Sequence, residues 1–523
     1  MFHQCCCASD AVASRRTSTS QAAALRLLRA ELLGRAEALI PSFAWRFRRG
    51  LGEVNGILGD DEIKSFATVL RSLRGQHCVV TLDFSRQSIG DVGACTLADA
   101  LNGDWTVQHV RLGSNRIKQR GAMHLALAFV GMPQLKQLNI SDNPWTTDGL
   151  ETLCRALSRC RRLEELEVGM MAENDAQGIC QWSSTLVEAV ADLCDGGLNS
   201  DDEPCSASSD AGLRELKIVD ANLRAHDWKR IFARVARTTA LRRLSLLRCG
   251  QNGELCGDTS RSLSDGSVAA ALMPLSAALS ALQCPVETLS FAACDHIDDD
   301  AGSALAEALR SCPAVLSTEA SHPRSRRLAP DQPDQPGEGL RELIITKCRI
   351  GPMTINAIAD ALQSNRALQR LTLSAPSPPP RTYQSTTTPN PLGKLFRSVG
   401  RHSRIEELNV SGIPIADDDV LALINAMQER GNTHLYLVRH AAIASDQLQN
   451  QLDDILARNT KHCDRRRRHR DTKMVHMSLD QVLDFAAPCR DNGSMTPPDQ
   501  AHGDPHSNPP VSLSQVEMLI TDE

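Results

Sequence analysis

The 18 cysteines of this 523-residue chain are the first residues to weigh, because thiols ligate metals and act as nucleophiles. They are scattered, and none forms the C-x-x-C pair that a zinc site or a redox motif uses. A G-x-x-x-x-G-K-[ST] phosphate loop, an H-E-x-x-H zinc pair and a G-x-S-x-G nucleophile elbow do not occur, and the 15 histidines follow no ligand spacing. The expectation is a protein that is not an enzyme and has no catalytic, cofactor-binding or metal-binding residues.

Four shorter signals have a physical mechanism behind them. Pro376, Pro379 and Arg381 fit P-x-x-P-x-R, the polyproline form that docks on an SH3 groove while Arg reads an acidic rim. Ser200 precedes Asp201-Asp202-Glu203, an acidophilic kinase site at which phosphate would add negative charge. Cys5, Cys6 and Cys7 can accept palmitate, although Phe2 stands where myristoylation needs glycine. Arg465, Arg466, Arg467 and Arg468 form a nuclear-import or acidic-partner run. Each also reads as an ordinary solvated loop or tail. Without stacking aromatics near the arginines, no specific nucleic-acid binding is expected.

These signals hang on a repeat. The frame L-x-x-L-x-L-x-x-N/C-x-I/L appears as Val79, Leu82, Phe84, Gln87, Ile89 and again as Val107, Val110, Leu112, Asn115, Ile117. A third copy is Leu135, Leu138, Ile140, Asn143, Trp145, and later copies start at Leu163, Leu213, Leu241, Val286, Leu340, Leu368 and Ile405. Five of the nine spacings are 28 residues, and the longer ones contain polar insertions, so one register holds throughout. Alternation of Leu82 and Phe84 with Thr81, Asp83 and Ser85 predicts a strand buried on one face. Gly-Ala-x-x-Leu-Ala-x-Ala-Leu, complete from Gly93 to Leu101, predicts a helix whose small residues lie close to the strands. The N/C position holds Asn115, Asn143, Cys249, Cys294 and Cys348, which makes those cysteines packing residues.

Period, Asn/Cys alternation and the Gly-Ala helix resemble the ribonuclease-inhibitor-like class of leucine-rich repeats. The resemblance covers residues 51–458 and implies an α/β solenoid bent into a horseshoe, with parallel strands on the concave face and helices on the convex face. The same geometry follows from spacing, since strands pack about 4.8 Å apart and helices need roughly 10 Å. Resemblance to that class implies a non-catalytic protein-binding scaffold or adaptor. The alternative it carries is a GTPase-activating protein resembling the Ran activator, although no residue matches an activating Arg or Asn and the tail here is basic.

Boundaries follow composition: a tail and helix at 1–50, the repeats at 51–458, and a disordered, Pro- and His-rich tail at 459–523. Residues 21–40 and 60–74 have helical patterns, the second capping the first strand, and a last helix at 446–458 closes the array. Insertions at 195–211, 250–266, 313–338 and 376–391 have loop composition. Net charge is -6, aromatics are 3%, and no run of 18 apolar residues occurs, so neither a polyanion partner nor a membrane span is expected. A monomeric cytoplasmic protein that binds other proteins is the expectation. Nuclear, cytoskeletal or ciliary placement stays open, as does a mitochondrial one, given the acid-poor start.

The inward strand positions complete the reading. Asp83 should face Arg111, Glu167 face Lys217, Glu215 face Arg243, and Glu342 face Arg370, with Glu165 beside them. A third inward row is small and neutral (Ser85, Gly113, Ser141, Gly169, Ala292, Ser374, Ser411), and Tyr436 is the one aromatic anchor. Such pairs relieve like-charge repulsion along the stack, so the insertions and the array's ends are expected to bind more strongly than this face.

Overall fold

The apolar frame positions need a second layer to cover them, and the computed structural model supplies it. It describes residues 43–46, 59–75, 77, 79–171, 182–194, 212–250, 268–280, 285–311, 339–374, 391–430, 433–440, 443 and 445–485. The first half contains β1 (Phe43–Arg46), α1 (Asp60–Ser72), β2 (Val79–Asp83), α2 (Asp91–Leu101), β3 (His109–Arg111), α3 (Gln119–Val130), β4 (Gln137–Asn139), α4 (Thr147–Leu157), β5 (Glu165–Gly169), α5 (Ser184–Cys194), β6 (Glu215–Val219) and α6 (Ala225–Val235). Then come β7 (Arg243–Leu247), α7 (Val268–Ser280), β8 (Thr288–Ala292), α8 (Asp299–Ser311), β9 (Glu342–Thr346), α9 (Pro352–Ser364), β10 (Arg370–Ser374), α10 (Pro391–Arg401), β11 (Glu407–Asn409), α11 (Asp417–Arg430), β12 (Leu437–Arg439) and α12 (Asp446–Phe485).

All twelve strands join one sheet in chain order, and every neighbouring pair is parallel. Each helix from α1 to α10 packs on the next. Crossovers of one hand keep these helices on a single side of the sheet. The frame is in register: Leu82 pairs with Val110, Val110 with Leu138, and Leu138 with Leu166. Those residues are buried with the helical apolar residues in one continuous core. This is a leucine-rich-repeat solenoid.

Three sets of hydrogen bonds tie repeats to their neighbours. The first runs through the N/C position. Asn115 Nδ2 donates to the carbonyls of Phe84 and Leu112 at 2.9 Å, and its Oδ1 accepts from Ile89 N–H at 3.2 Å. Asn143 repeats this with Leu112 and Ile117. In seven repeats the residue just before this frame position is left-handed: Arg86, Ser114, Asp142, Asp220, Arg248, Ala293 and Lys347 have φ between 52° and 59°. That conformation costs roughly 1–2 kcal/mol per residue. An N–H donated to the next repeat offsets it, as from Arg86 to Gly113 at 2.9 Å and from Lys347 to Ser374 at 2.8 Å.

The second ladder caps helices across repeats. Gly90, Lys118 and Gly351 begin helices without a capping side chain of their own. The first residue of the preceding helix supplies it: Asp60 accepts from Gly90 N–H at 2.6 Å, Asp91 from Lys118 at 2.7 Å, and Asp299 from Gly351 at 2.6 Å. This explains the glycine of the Gly-Ala motif, since a Cβ on Gly93 would come within 2.6 Å of the Asp60 carboxylate.

A third set of bonds precedes four of the strands. Asp104, Thr238, Asn365 and His402 each stand three residues before a frame start, at Val107, Leu241, Leu368 and Ile405. Each accepts the N–H of that start residue. Thr238, Asn365 and His402 also donate to a carbonyl of the preceding repeat, at 2.8 Å in every case. Asp104 instead receives His77 Nε2 at 2.8 Å. Burial alone would raise the Asp104 carboxyl. The bonds from His77, Val107 and Thr106 outweigh it and hold the group below its ordinary value.

Two expected boundaries shift. Strand β1 lies inside the stretch assigned to the N-terminal tail and pairs with β2, so the sheet starts before residue 51 and α1 lies between two of its strands. Phe43 and Trp45 provide the apolar alternation that a search for a 28-residue spacing passes over. At the other end α12 continues past Arg458 to Phe485. No glycine or proline interrupts it until Pro488, so nothing local stops the helix. Asn459 is buried and donates to Leu435 O at 2.7 Å, which puts it with the repeats. The chain divides into two compact units, Met1–Asp464 and Arg465–Glu523. The expected helix at 21–40 lies outside the described residues, as do the four insertions apart from Gly250 and Pro391.

Candidate protein-binding surface

Because side chains alternate along a strand, the face opposite the helices carries one polar row per second position. Parallel pairing sets those rows side by side, and the four anticipated pairs all form. Arg111 lies 3.6 Å from Asp83, Lys217 3.0 Å from Glu167, Arg243 2.5 Å from Glu215, and Arg370 3.4 Å from Glu342. Glu165 joins them across two strands, 3.4 Å from Arg243, so one guanidinium holds two carboxylates. At the far end Tyr436 donates its hydroxyl to Glu407 at 2.9 Å, which ties down the only anchor ring expected there.

Glu165, Glu167 and Glu215 line a depression of about 370 Å³ with Arg111, Lys217 and Ser141. Ser141 donates to Glu167 at 3.1 Å. The neutral row is small for a reason: a Cβ on Gly113 would come within 2.6 Å of Asn139 Oδ1. His109 on β3 bonds Thr81 at 3.0 Å, and burial, aided by Lys136 and Arg111, pushes its pKa down. Such exposed ion pairs are individually weak, at most about 1 kcal/mol each. Their effect is to fix where the charges stand.

One strong pair was missed. Arg248 grips Asp220 with two bonds, at 2.5 and 2.6 Å. Both occupy the left-handed position, one residue past the strand end. Their shared place before the N/C residue was the available signal.

The cysteines behave as packing groups. Cys249, Cys294 and Cys348 donate to carbonyls of their own and the preceding repeat at 3.3–3.7 Å. Burial raises the Cys249 thiol, hydrogen bonding to Cys294 together with burial raises Cys348, and the bonds from Cys249 and Cys348 lower Cys294 in turn. Burial, with a smaller push from Glu151, raises Cys154 to about 12, and burial alone raises Cys160 to about 11. Raised thiols are poor nucleophiles. Among the described residues no group of three or more His, Cys, Asp or Glu could hold a metal ion, and no helix is long and apolar enough to cross a membrane.

Of the other residues singled out, Arg465, Arg466, Arg467 and Arg468 fall on α12. Pro376, Pro379, Arg381, Ser200, Cys5, Cys6 and Cys7 lie outside the described residues.

No family model matches the chain, and no curated protein matches it. Among solved structures it is similar to a chain of the crystal structure of a TLR13–ssRNA13 complex, at 11% identity and a TM-score of 0.16. The match covers 70% of this chain and 63% of that one, so the chain spans less than two thirds of its length. At that score the two do not superpose as wholes.

Proposed function

We propose that this chain is a non-catalytic protein-binding scaffold, monomeric and cytoplasmic, built from repeats of the ribonuclease-inhibitor-like class. The observation that carries the reading is the open sheet face. Half-exposed polar side chains recur there at strand spacing and are held in position by ion pairs between repeats. A surface of fixed charges costs little to order when a partner arrives, which is how preorganised interfaces gain affinity.

The inter-repeat pairs thus stiffen the array as a support, and because its charges already answer one another the face itself offers a partner only a minor share of the contacts. Contacts from insertions, array ends or outer helices then supply most of the binding energy. Capture of partners on the full chain from native cell extract, followed by mass spectrometry, tests the function. Specific retention of a protein supports it, and retention no better than on an unrelated repeat protein overturns it. Retesting with Glu165→Ala, Glu167→Ala and Glu215→Ala combined should weaken binding less than about tenfold. Complete loss would put the partner on the open face.

A further inference from the structure

Of the nine large apolar side chains left exposed on the described residues, five fall within two repeats, Val92, Trp105, Met123, Leu127 and Val130, while Met171, Met273, Met353 and Leu421 stand singly elsewhere. Met123 (50% exposed), Leu127 (73%) and Val130 (43%) stand at i, i+4 and i+7 of α3, a single stripe along its outer side. The core does not require them, because Ala122, Leu125, Ala126 and Phe129 already bury the opposite side. Nor does the repeat frame require them. Twenty-eight residues earlier the same positions hold Cys95, Asp99 and Asn102, and twenty-eight later Glu151, Arg155 and Ser158. Contiguous exposed apolar surface on one element marks an interaction site.

Charge on the same helix indicates what covers it. Helices α1, α2, α4, α8 and α11 carry acids in the first turn, which suits the positive end of the helix dipole. Helix α3, like α5, α7, α9 and α10, has none there. Its exposed polar residues at that end are Arg116, Lys118, Gln119, Arg120 and His124. Three acids flank the stripe and its basic end, one of them Asp148, exposed on α4 one period after Arg120. Asp99 is exposed on α2, and Glu151 on α4 is engaged by Arg155 at 2.7 Å. Asp91 is committed to the backbone of Lys118 and Gly121. The N-terminal end of the stripe is thus basic, and the rest is apolar.

We propose that the outer face of α3 docks an amphipathic helix of a partner protein, with apolar residues on Met123, Leu127 and Val130 and acidic residues against Arg116, Arg120 and His124. This mode reads as anchors at helical spacing, and opposite charges at one end fix direction and register. The partner's acidic half lies over the first turn of α3.

The probe is a displayed library of helical peptides about 18 residues long, five turns, with Leu fixed at i, i+4 and i+7 and Glu, Lys or Gln allowed at the flanks. Selection is against the full chain. Acidic flanks should be enriched, and the selected peptides should bind Leu127→Asp about tenfold or more weakly. Arg120→Glu should reverse the preference toward Lys-flanked peptides. Leu127 is exposed, so an unchanged melting temperature of Leu127→Asp separates lost docking from lost folding. Absence of enrichment, basic or unbiased flanks, or equal binding to Leu127→Asp each overturns the proposal. So does a dimer of the full chain that Leu127→Asp dissociates, which would make a second copy the occupant.

Discussion

The repeats around Asn115 and Asn143 and those around Cys249, Cys294 and Cys348 close the same turn with different chemistry. An asparagine amide donates twice or more and accepts once, so it bonds two carbonyls and an N–H together. A thiol donates weakly to the same carbonyl of the preceding repeat and to the one two residues before itself, and supplies no such acceptor in the bonds seen here. The asparagines belong to the run of uninterrupted 28-residue repeats. The cysteines stand where spacings of 45 and 54 occur. The position thus favours a small buried donor that reaches the preceding strand, donor strength is free to vary, and buried Ala221 supplies none. The left-handed residue before it is present in both regions, which makes backbone geometry the stricter requirement.

The sharpest way to break this comparison is to delete the strong donor. Asn143→Ala leaves two or more buried backbone groups unpaired and should cost about 3 kcal/mol, read as a denaturant midpoint shift with unchanged slope. Asn143→Cys should recover part of that loss, because the thiol can still reach Leu112 O. Equal loss in both variants would mean that the thiol ladder contributes nothing.

Acid should weaken the region around His402 next. Burial pushes this histidine down to about 4, while Nε2 donates to Asn365 O and Nδ1 accepts two N–H groups. The folded state disfavours the proton that the unfolded chain binds near pH 6.5. Its contribution is therefore complete above pH 6.5 and is lost as pH falls toward 4, by up to about 3 kcal/mol. His402→Gln should flatten that part of the stability-against-pH curve, and an unchanged slope would rule out this source.

Smaller effects follow at the caps and thiols. Asp299→Ala removes the carboxylate that serves Gly351 N–H, Thr354 N–H and the Thr354 hydroxyl, and should cost about 1–2 kcal/mol. Cys294→Ala should cost only about 1 kcal/mol, a weak donor and one sulfur's packing. A larger loss for Cys294→Ala than for Asn143→Ala would invert the ranking of the two regions.

Much of this was legible in sequence because the frame is periodic. Leu82, Val110, Leu138 and Leu166 name their own neighbours at a fixed interval, and the charge pairs follow once strands are parallel and in register. The ladder of Asp104, Thr238, Asn365 and His402 was not legible, since four chemically different side chains share one task. The trans-capping aspartates were hidden because each serves the next helix and not its own. The α3 stripe was masked by its Gly-Ala core motif, which explains Leu125 and Phe129 and says nothing of Leu127. The boundary at β1 was hidden by a 37-residue step from Trp45 to Leu82, outside the common period.

All of these readings rest on repeats that are stabilised by their neighbours in one shared register. Excision of Val107 to Gln134, one full period, tests that most directly, with Leu138→Asp as its partner variant. The account predicts that the excised chain keeps its circular dichroism and melts cooperatively, because Leu138 then pairs where Val110 did. Leu138→Asp buries an unpaired charge and should lose several kcal/mol. An excised chain that fails to fold beside a Leu138→Asp chain that melts normally would contradict the register and the solenoid built on it.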